Sequence, residues 1–127
     1  RGRSGQVWRS EAGAGLWFTL LERTVPPDAL GVLSLRLGLA LACAVEPWCD
    51  APVRVKWPND VFVGAGKLAG ILVEARWRDG QPEWVAIGVG INRRVPAEAP
   101  DAAALRADAS PQAVLAAVLP ALRQAAR

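Results

Sequence analysis

Between residues 53 and 92 the chain passes through four apolar runs, "VRVKW", "VFV", "KLAGILVEARW" and "EWVAIGVGI", parted only by short stretches rich in Pro, Asn, Asp and Gly. Two of the breaks, "GAG" at 64–66 and "RDGQP" at 78–82, have the length and glycine content of hairpin turns. Strands that follow one another through tight turns pair as antiparallel neighbours, because a parallel pair needs a long crossover between its members. The reading is therefore an α+β architecture, a mixed and mostly antiparallel sheet with packed helices, and not a doubly wound one.

The flanks supply the second layer. "GLWFTLLER", from Gly15, reads as a further strand ended by Pro26 and Pro27. The most apolar stretch, "LGVLSLRLGLALACAV" at 30–45, is too short for a membrane span and carries Arg36 in its middle. It is expected to be a buried helix, capped by Asp28 and closed by Glu46 and Pro47. Its apolar residues run nearly all the way round, which suits cover by the sheet on one side and by other elements on the rest. In "SPQAVLAAVLPALRQAAR", Ser110 as cap and Pro111 as first residue start a terminal amphipathic helix that Pro120 should kink or split. With 127 residues, 52% of them apolar, the chain suits one domain with its own core. No signal peptide opens it, and its first residue is arginine, as in a piece of a longer protein.

Composition narrows the chemistry. These residues include no histidine, so they cannot run a Ser-His-Asp triad or offer the commonest zinc ligand. Cys43 and Cys49 lie six apart with no second pair, and read as free thiols of a reducing cytoplasm. The net charge of +3 is spread along the chain, so DNA or RNA binding has no support beyond the locally basic Arg1, Arg3 and Arg9.

Thirteen of the fifteen basic residues are arginine, and the two lysines, Lys56 and Lys67, fall in one short window. The only asparagines are Asn59 and Asn92. Lysine is a compact point charge that arginine does not replace. "KWPND" ends a strand in a cation, an amide and a carboxylate; taken alone, Asn59 and Asp60 there read equally as turn caps. A hairpin around Gly64 to Gly66, however, folds Lys67 back beside them. "GAG" lacks the following GK[ST] of a phosphate loop and reads as turn glycine. "GVGIN" places two glycines in a strand before a lone amide, which marks either a bulge or the close approach of another group. "RGRSGQVW" at 1–8 is either an anion-binding loop or a solvated terminus, with Trp8 placed to stack on a base.

Taken together and in this order, "RGRSGQVW", "KWPND", "KLAGILVE" and "GVGIN" resemble the catalytic domain of biotin protein ligases, which activate biotin with ATP and attach it to a carrier protein. The resemblance runs from residue 1 to about residue 92 and extends to the terminal helix. It implies the fold shared with class II aminoacyl-tRNA synthetases and biotin synthetases. It also implies that Arg1, Gly2, Arg3 and Gly5 order over biotin and the phosphates, with Trp8 near the adenine. Lys67 would contact the biotin carboxylate and the α-phosphate. Asn59 and Asp60 would serve the metal and phosphate region and the incoming acceptor lysine. Gly70, Gly90 and Asn92 would lie along the ligands. The implied catalytic set is Lys67, Arg3 and Asp60, working on biotin with ATP and Mg²⁺, with Asn59 nearest the metal. The implied partner is a biotin carboxyl carrier protein domain, in the cytoplasm and off the membrane, and a homodimer is compatible with it.

Departures accompany the likeness. Ser4 and Gln6 stand where the family commonly has basic residues, which would weaken anion binding. The family's segment before the loop, its C-terminal SH3-like barrel and the helix-turn-helix of its repressor members are not in this sequence. Residues 1–127 are therefore expected to be a partial catalytic domain, inactive alone. Two other readings stay open: an acyl ligase for lipoate, and a nonenzymatic module whose basic first segment binds a partner in a salt-sensitive way.

Overall fold

The structure, a computed structural model, describes residues 3–5, 7 and 10–127, with Arg3 described by its backbone alone. Among them are five strands, β1 (Gly15–Glu22), β2 (Val53–Lys56), β3 (Asp60–Val63), β4 (Gly66–Arg78) and β5 (Gln81–Asn92), and two helices, α1 (Leu30–Val45) and α2 (Pro111–Ala126). The strands form one sheet in the order β1-β5-β4-β3-β2, and every described pairing is antiparallel. The α+β expectation therefore holds, without a parallel pair. The β4–β5 turn is Asp79–Gly80, with φ of 50° and 77°, the left-handed pair that suits a two-residue hairpin loop. Because β1 and β2 occupy opposite edges, α1 carries the chain from one edge of the sheet to the other.

Side chains alternate faces along a strand, so pairing partners share a face across the sheet. One face holds Val61, Ile71, Val85, Ile87 and Ile91, all at 0–1% exposure, and meets Leu33, Leu37, Leu41 and Val45 of α1 with Val114, Val118 and Leu122 of α2, all at 0%. Each such aliphatic side chain contributes about 1.5–3 kcal/mol on burial, and together they form one core. Ser110 Oγ accepts a hydrogen bond from the Ala113 N–H at 3.1 Å and caps α2 as expected.

Four expectations need correction. Asp28 does not cap α1: a 3₁₀ turn, Pro27–Ala29, precedes the helix, so the helical run begins before Asp28 and the residue at the cap position is Ala29, with helical angles and no side-chain bond. The continuous helical run Pro27–Trp48 is 22 residues, long and apolar enough by length and composition to cross a membrane, where the sequence had suggested too short a stretch. Packing makes it a core helix with one buried stripe, and its outer stripe, Val32, Leu35 and Leu39, is exposed rather than covered. Lastly, α2 runs unbroken through Pro120. That proline lies on the exposed side, and the carbonyl deprived of its N–H belongs to the exposed Ala116, so it is not left in the core.

Candidate functional site

The other face of the sheet carries a different set of side chains. Following the register from β2 to β1, one row reads Lys56, Asp60, Gly70, Gly90 and Trp17. The next reads Leu72, Gly88 and Thr19, and the third Glu74, Ala86 and Leu21. Three glycines and an alanine thus make a floor without large side chains, while the helices pack against the opposite face.

Lys67 reaches this face by a break in alternation. Asp60 pairs with Gly70 and Val61 with Ala69, but Phe62 pairs with Lys67, so Leu68 is left without a partner in β3. This β-bulge shifts the parity by one residue. Counting back from Gly70 without it would turn Lys67 toward the helices; with it, Lys67 shares a face with Asp60 and Phe62. Its Nζ lies 2.9 Å from Asp60 Oδ1, the lysine half-exposed (48%) and the aspartate less so (26%). A methyl added at Gly70 would sit 3.4 Å from that Nζ and 3.5 Å from Oδ1, so the missing side chain makes room for the pair.

Both asparagines act on β4. Asn59 Nδ2 donates to the Ile71 carbonyl at 2.7 Å, and the Ile71 N–H donates to the Asn59 carbonyl at 2.9 Å, which extends the β3–β4 ladder one residue beyond Asp60. Asn92 Nδ2 donates to the carbonyls of Lys67 (3.2 Å) and Ala103 (3.1 Å), and the Ala103 N–H donates to the Lys67 carbonyl at 2.9 Å. The segment 96–103 is thereby tied beside Lys67. It crosses so close to Gly66 that an added Cβ there would stand 2.7 Å from Ala103 N.

These groups enclose a cleft of about 590 Å³ whose lining includes Asn59, Asp60, Lys67, Gly70, Gly90 and Asn92. Ser4 and Val7 of the first segment and Glu98 of the 96–103 segment also line it. Beside it, with Leu72 common to both, is a hollow of about 390 Å³ bordered by Trp17, Thr19, Glu74, Ala86 and Gly88. The backbone N–H groups of Arg93 and Arg94 both donate to the Ala14 carbonyl, at 2.9 and 3.0 Å, which anchors the start of β1, and with it the end of the first segment, at this end of β5.

Six residues singled out in the sequence therefore converge on one cleft. Others do not enter that account. Arg1, Gly2 and Trp8, with the side chain of Arg3, lie outside the described residues, and Gly5, with φ of 76°, is not part of the lining. Lys56, from the same window as Lys67, sits 5.1 Å over the Phe62 ring and not at the ion pair. Of the two readings open for "GVGIN", the bulge is absent: Gly88 and Gly90 pair on both sides, and the irregularity near the cleft lies in the β3–β4 ladder. Thr19, Leu72 and Trp17 were not assigned to the site from sequence, and neither was Gly88, noted there only as a strand glycine, although alternation from Gly90 picks it out. Among the described residues no group of three or more His, Cys, Asp or Glu could hold a metal ion, so a cation here would need oxygens from a ligand beside Asp60.

Comparison with known proteins extends this picture. Residues 1–92 match the family described as Biotin/lipoate A/B protein ligase family. The bifunctional ligase/repressor BirA of Escherichia coli is 43% identical over 94 residues, covering 72% of this chain and 29% of that protein. The biotin–[acetyl-CoA-carboxylase] ligase of Mycobacterium tuberculosis is 43% identical over 112 residues, covering 83% of this chain and 40% of that one. The biotin protein ligase of Aquifex aeolicus, solved in complex with biotin and ATP, superposes with a TM-score of 0.76 at 33% identity over 98% of this chain and 55% of its own. The chain thus spans less than half the length of the two curated relatives and about half of the solved one.

Proposed function

The chain belongs to the biotin/lipoate A/B protein ligase family, and from that membership we propose that it supplies the nucleotide side of the active site of an ATP-dependent biotin protein ligase. Relatives named as biotin ligases, and a solved neighbour described with biotin and ATP bound, support this reading. The observation that carries it is the Lys67 ammonium, turned by the bulge onto the glycine-floored face, 2.9 Å from Asp60.

The chemistry proposed for that cleft requires such a cation. In the first step a biotin carboxylate oxygen attacks the α-phosphorus of ATP, a P–O bond forms, and the bond to the leaving pyrophosphate breaks. Two unit anions held 4 Å apart repel by about 4 kcal/mol at an effective dielectric constant of 20. An ammonium between them offsets that repulsion and stabilises charge growing on the phosphate, so positioning and electrostatics do the work and no protein nucleophile is needed. Lys67 is assigned this role, and the family resemblance assigns Arg3 to the same anions. Binding of the two anions draws Lys67 away from Asp60 and frees the carboxylate for the second step. There the acceptor lysine attacks the acyl carbon of biotinyl-5'-AMP, the C–O bond to AMP breaks, and Asp60 takes the proton from the amine. Mg²⁺, which neutralises phosphate charge when bound, would enter with the triphosphate and be held by its oxygens together with Asp60, near Asn59. The floor of Gly70, Gly88 and Gly90 leaves space for the fused rings of biotin, and Trp8 is assigned to stack on adenine.

The acceptor proposed is a biotin carboxyl carrier protein domain, and the compartment is the cytoplasm, where ATP is available. The 127 residues alone are proposed to be inactive, and the full site to need further chain. The test is pyrophosphate exchange into ATP, with the gene's upstream sequence included, on the native protein and on Lys67→Ala. Exchange that depends on biotin and collapses in the variant is the expected result. Exchange that depends on lipoate instead moves the protein to the other acid of its family, and exchange unchanged by the substitution removes the central assignment.

A further inference from the structure

The ammonium of Lys67 hangs from the least regular stretch of the sheet. Leu68, beside it, is the bulge residue with no partner in β3, and the β4–β5 ladder begins only at the Ala69 and Ile91 pair, one residue further on. On its β5 side the Lys67 backbone therefore has no strand to hold it. What holds it there is the Asn92 side chain, at 3.2 Å from the Lys67 carbonyl, and the Ala103 N–H, at 2.9 Å. Asn59 does the corresponding job at the other end: by exchanging two hydrogen bonds with Ile71 it completes the ladder above Asp60, the partner of Lys67.

Both acceptors of Asn92 are carbonyl oxygens, so the atom facing them must be the NH₂, and its two hydrogens are both committed. A side-chain amide so committed is serving the backbone. Serine, aspartate and most small residues cannot bridge two carbonyls, which accounts for asparagine at this position in a chain that otherwise has only Asn59.

We infer that Asn59 and Asn92 are positioning residues that set the direction of the Lys67 ammonium and its contact with Asp60, by closing the sheet on either side of the bulge. The consequence for catalysis rests on the proposed ligase reading; the positioning itself does not.

The test uses the fact that the chain has two lysines. Lysine labelled with ¹³C and ¹⁵N in the 127-residue chain yields two side-chain spin systems, and Lys56→Arg assigns them. Asp60→Asn gives the reference signal of Lys67 without its partner. Asn92→Asp, which keeps the shape and removes the donors, is expected to move the Lys67 signal most of the way to that reference while Lys56 stays in place. Asn92→Ser, which keeps one donor, should fall between, and decides the matter if the aspartate variant does not fold. Leu122→Ala in α2 weakens the core on the opposite face of the sheet from Lys67 and should leave the Lys67 signal unmoved. In the exchange assay Asn92→Ser should lower kcat about tenfold with KM for ATP changed less than twofold, the pattern of an interaction realised in the transition state. A Lys67 signal unmoved in the Asn92 variants, or moved as much by Leu122→Ala, overturns the inference. Absence of exchange activity in the native protein would instead count against the ligase reading and leave the lysine signals to judge this one.

Discussion

The two faces of the sheet are made from the same strands and share no purpose. In β5, Val85, Ile87, Val89 and Ile91 point one way and are buried under the helices, while Ala86, Gly88 and Gly90 point the other way and form the floor of the clefts. In β4, Ile71 goes with the first set and Gly70 and Leu72 with the second. In β5 one face carries all the aliphatic bulk and the other carries none. Glycine in a strand gives up packing and costs backbone entropy, so a set of glycines along a cleft weakens the sheet unless something binds there. The difference teaches where stability and function are kept apart: they alternate residue by residue, and a change on one face should leave the other largely alone.

The sharpest way to break that separation is Lys67→Ala. Exchange activity should fall about 10³-fold, near 4 kcal/mol of transition-state stabilisation. Thermal stability should hardly move, because a half-exposed ion pair contributes only about 0–1 kcal/mol. Large losses in both assays would mean that the cleft is structural. Leu37→Ala, on the helix that covers the other face, should do the reverse: about 3 kcal/mol lost in urea unfolding, with ligand affinity of the folded protein unchanged. Gly88→Val probes the floor. A Cβ at that position would approach nothing nearer than the Leu72 carbonyl, at 3.6 Å, so the fold should hold while biotin affinity by calorimetry drops about tenfold, the cost of overfilling a fitted site.

The smallest effect lies away from both faces. Arg106 bonds both oxygens of Asp108, at 3.1 and 3.2 Å, and this holds the Asp108 carboxyl below its ordinary range. A depressed carboxyl lends stability that is complete above the ordinary carboxylate range and is lost as pH falls through the depressed value. Asp108→Asn should therefore lower stability slightly at neutral pH, with the difference from the native protein vanishing as pH falls through the depressed value, so that the acid end of the stability curve flattens. A neutral-pH effect on ligand binding would show that the segment around Arg106 reaches the cleft.

The covered face was legible from sequence because burial leaves a period: alternating aliphatic residues and short turns specify antiparallel strands, and Ser110–Pro111 specify the start of α2. The clustering of Asn59, Asp60 and Lys67 was legible through the hairpin alone. Its mechanism was not, since alternation in "KLAG" turns Lys67 the wrong way and only the bulge at Leu68 corrects it. Nothing in the sequence marks a bulge when the residue involved is an ordinary leucine. The hydrogen bonds of Asn92 were hidden for a related reason, as they join residues 67, 92 and 103 through backbone carbonyls, which carry no sequence identity. Asp28 misled because a cap depends on where the first helical turn begins, and the two prolines started it early.

Two lysines in one window, one at the ion pair and one over an aromatic ring, provide the most direct test of which face and which cation receive the ligands. With lysine-labelled protein, upstream sequence included and Lys56 and Lys67 assigned by substitution, biotin and ATP are added together to saturation. The account predicts that the Lys67 signal shifts and leaves its Asp60-paired position while that of Lys56 stays. A Lys67 signal that does not respond to ligands shown by calorimetry to be bound would contradict it.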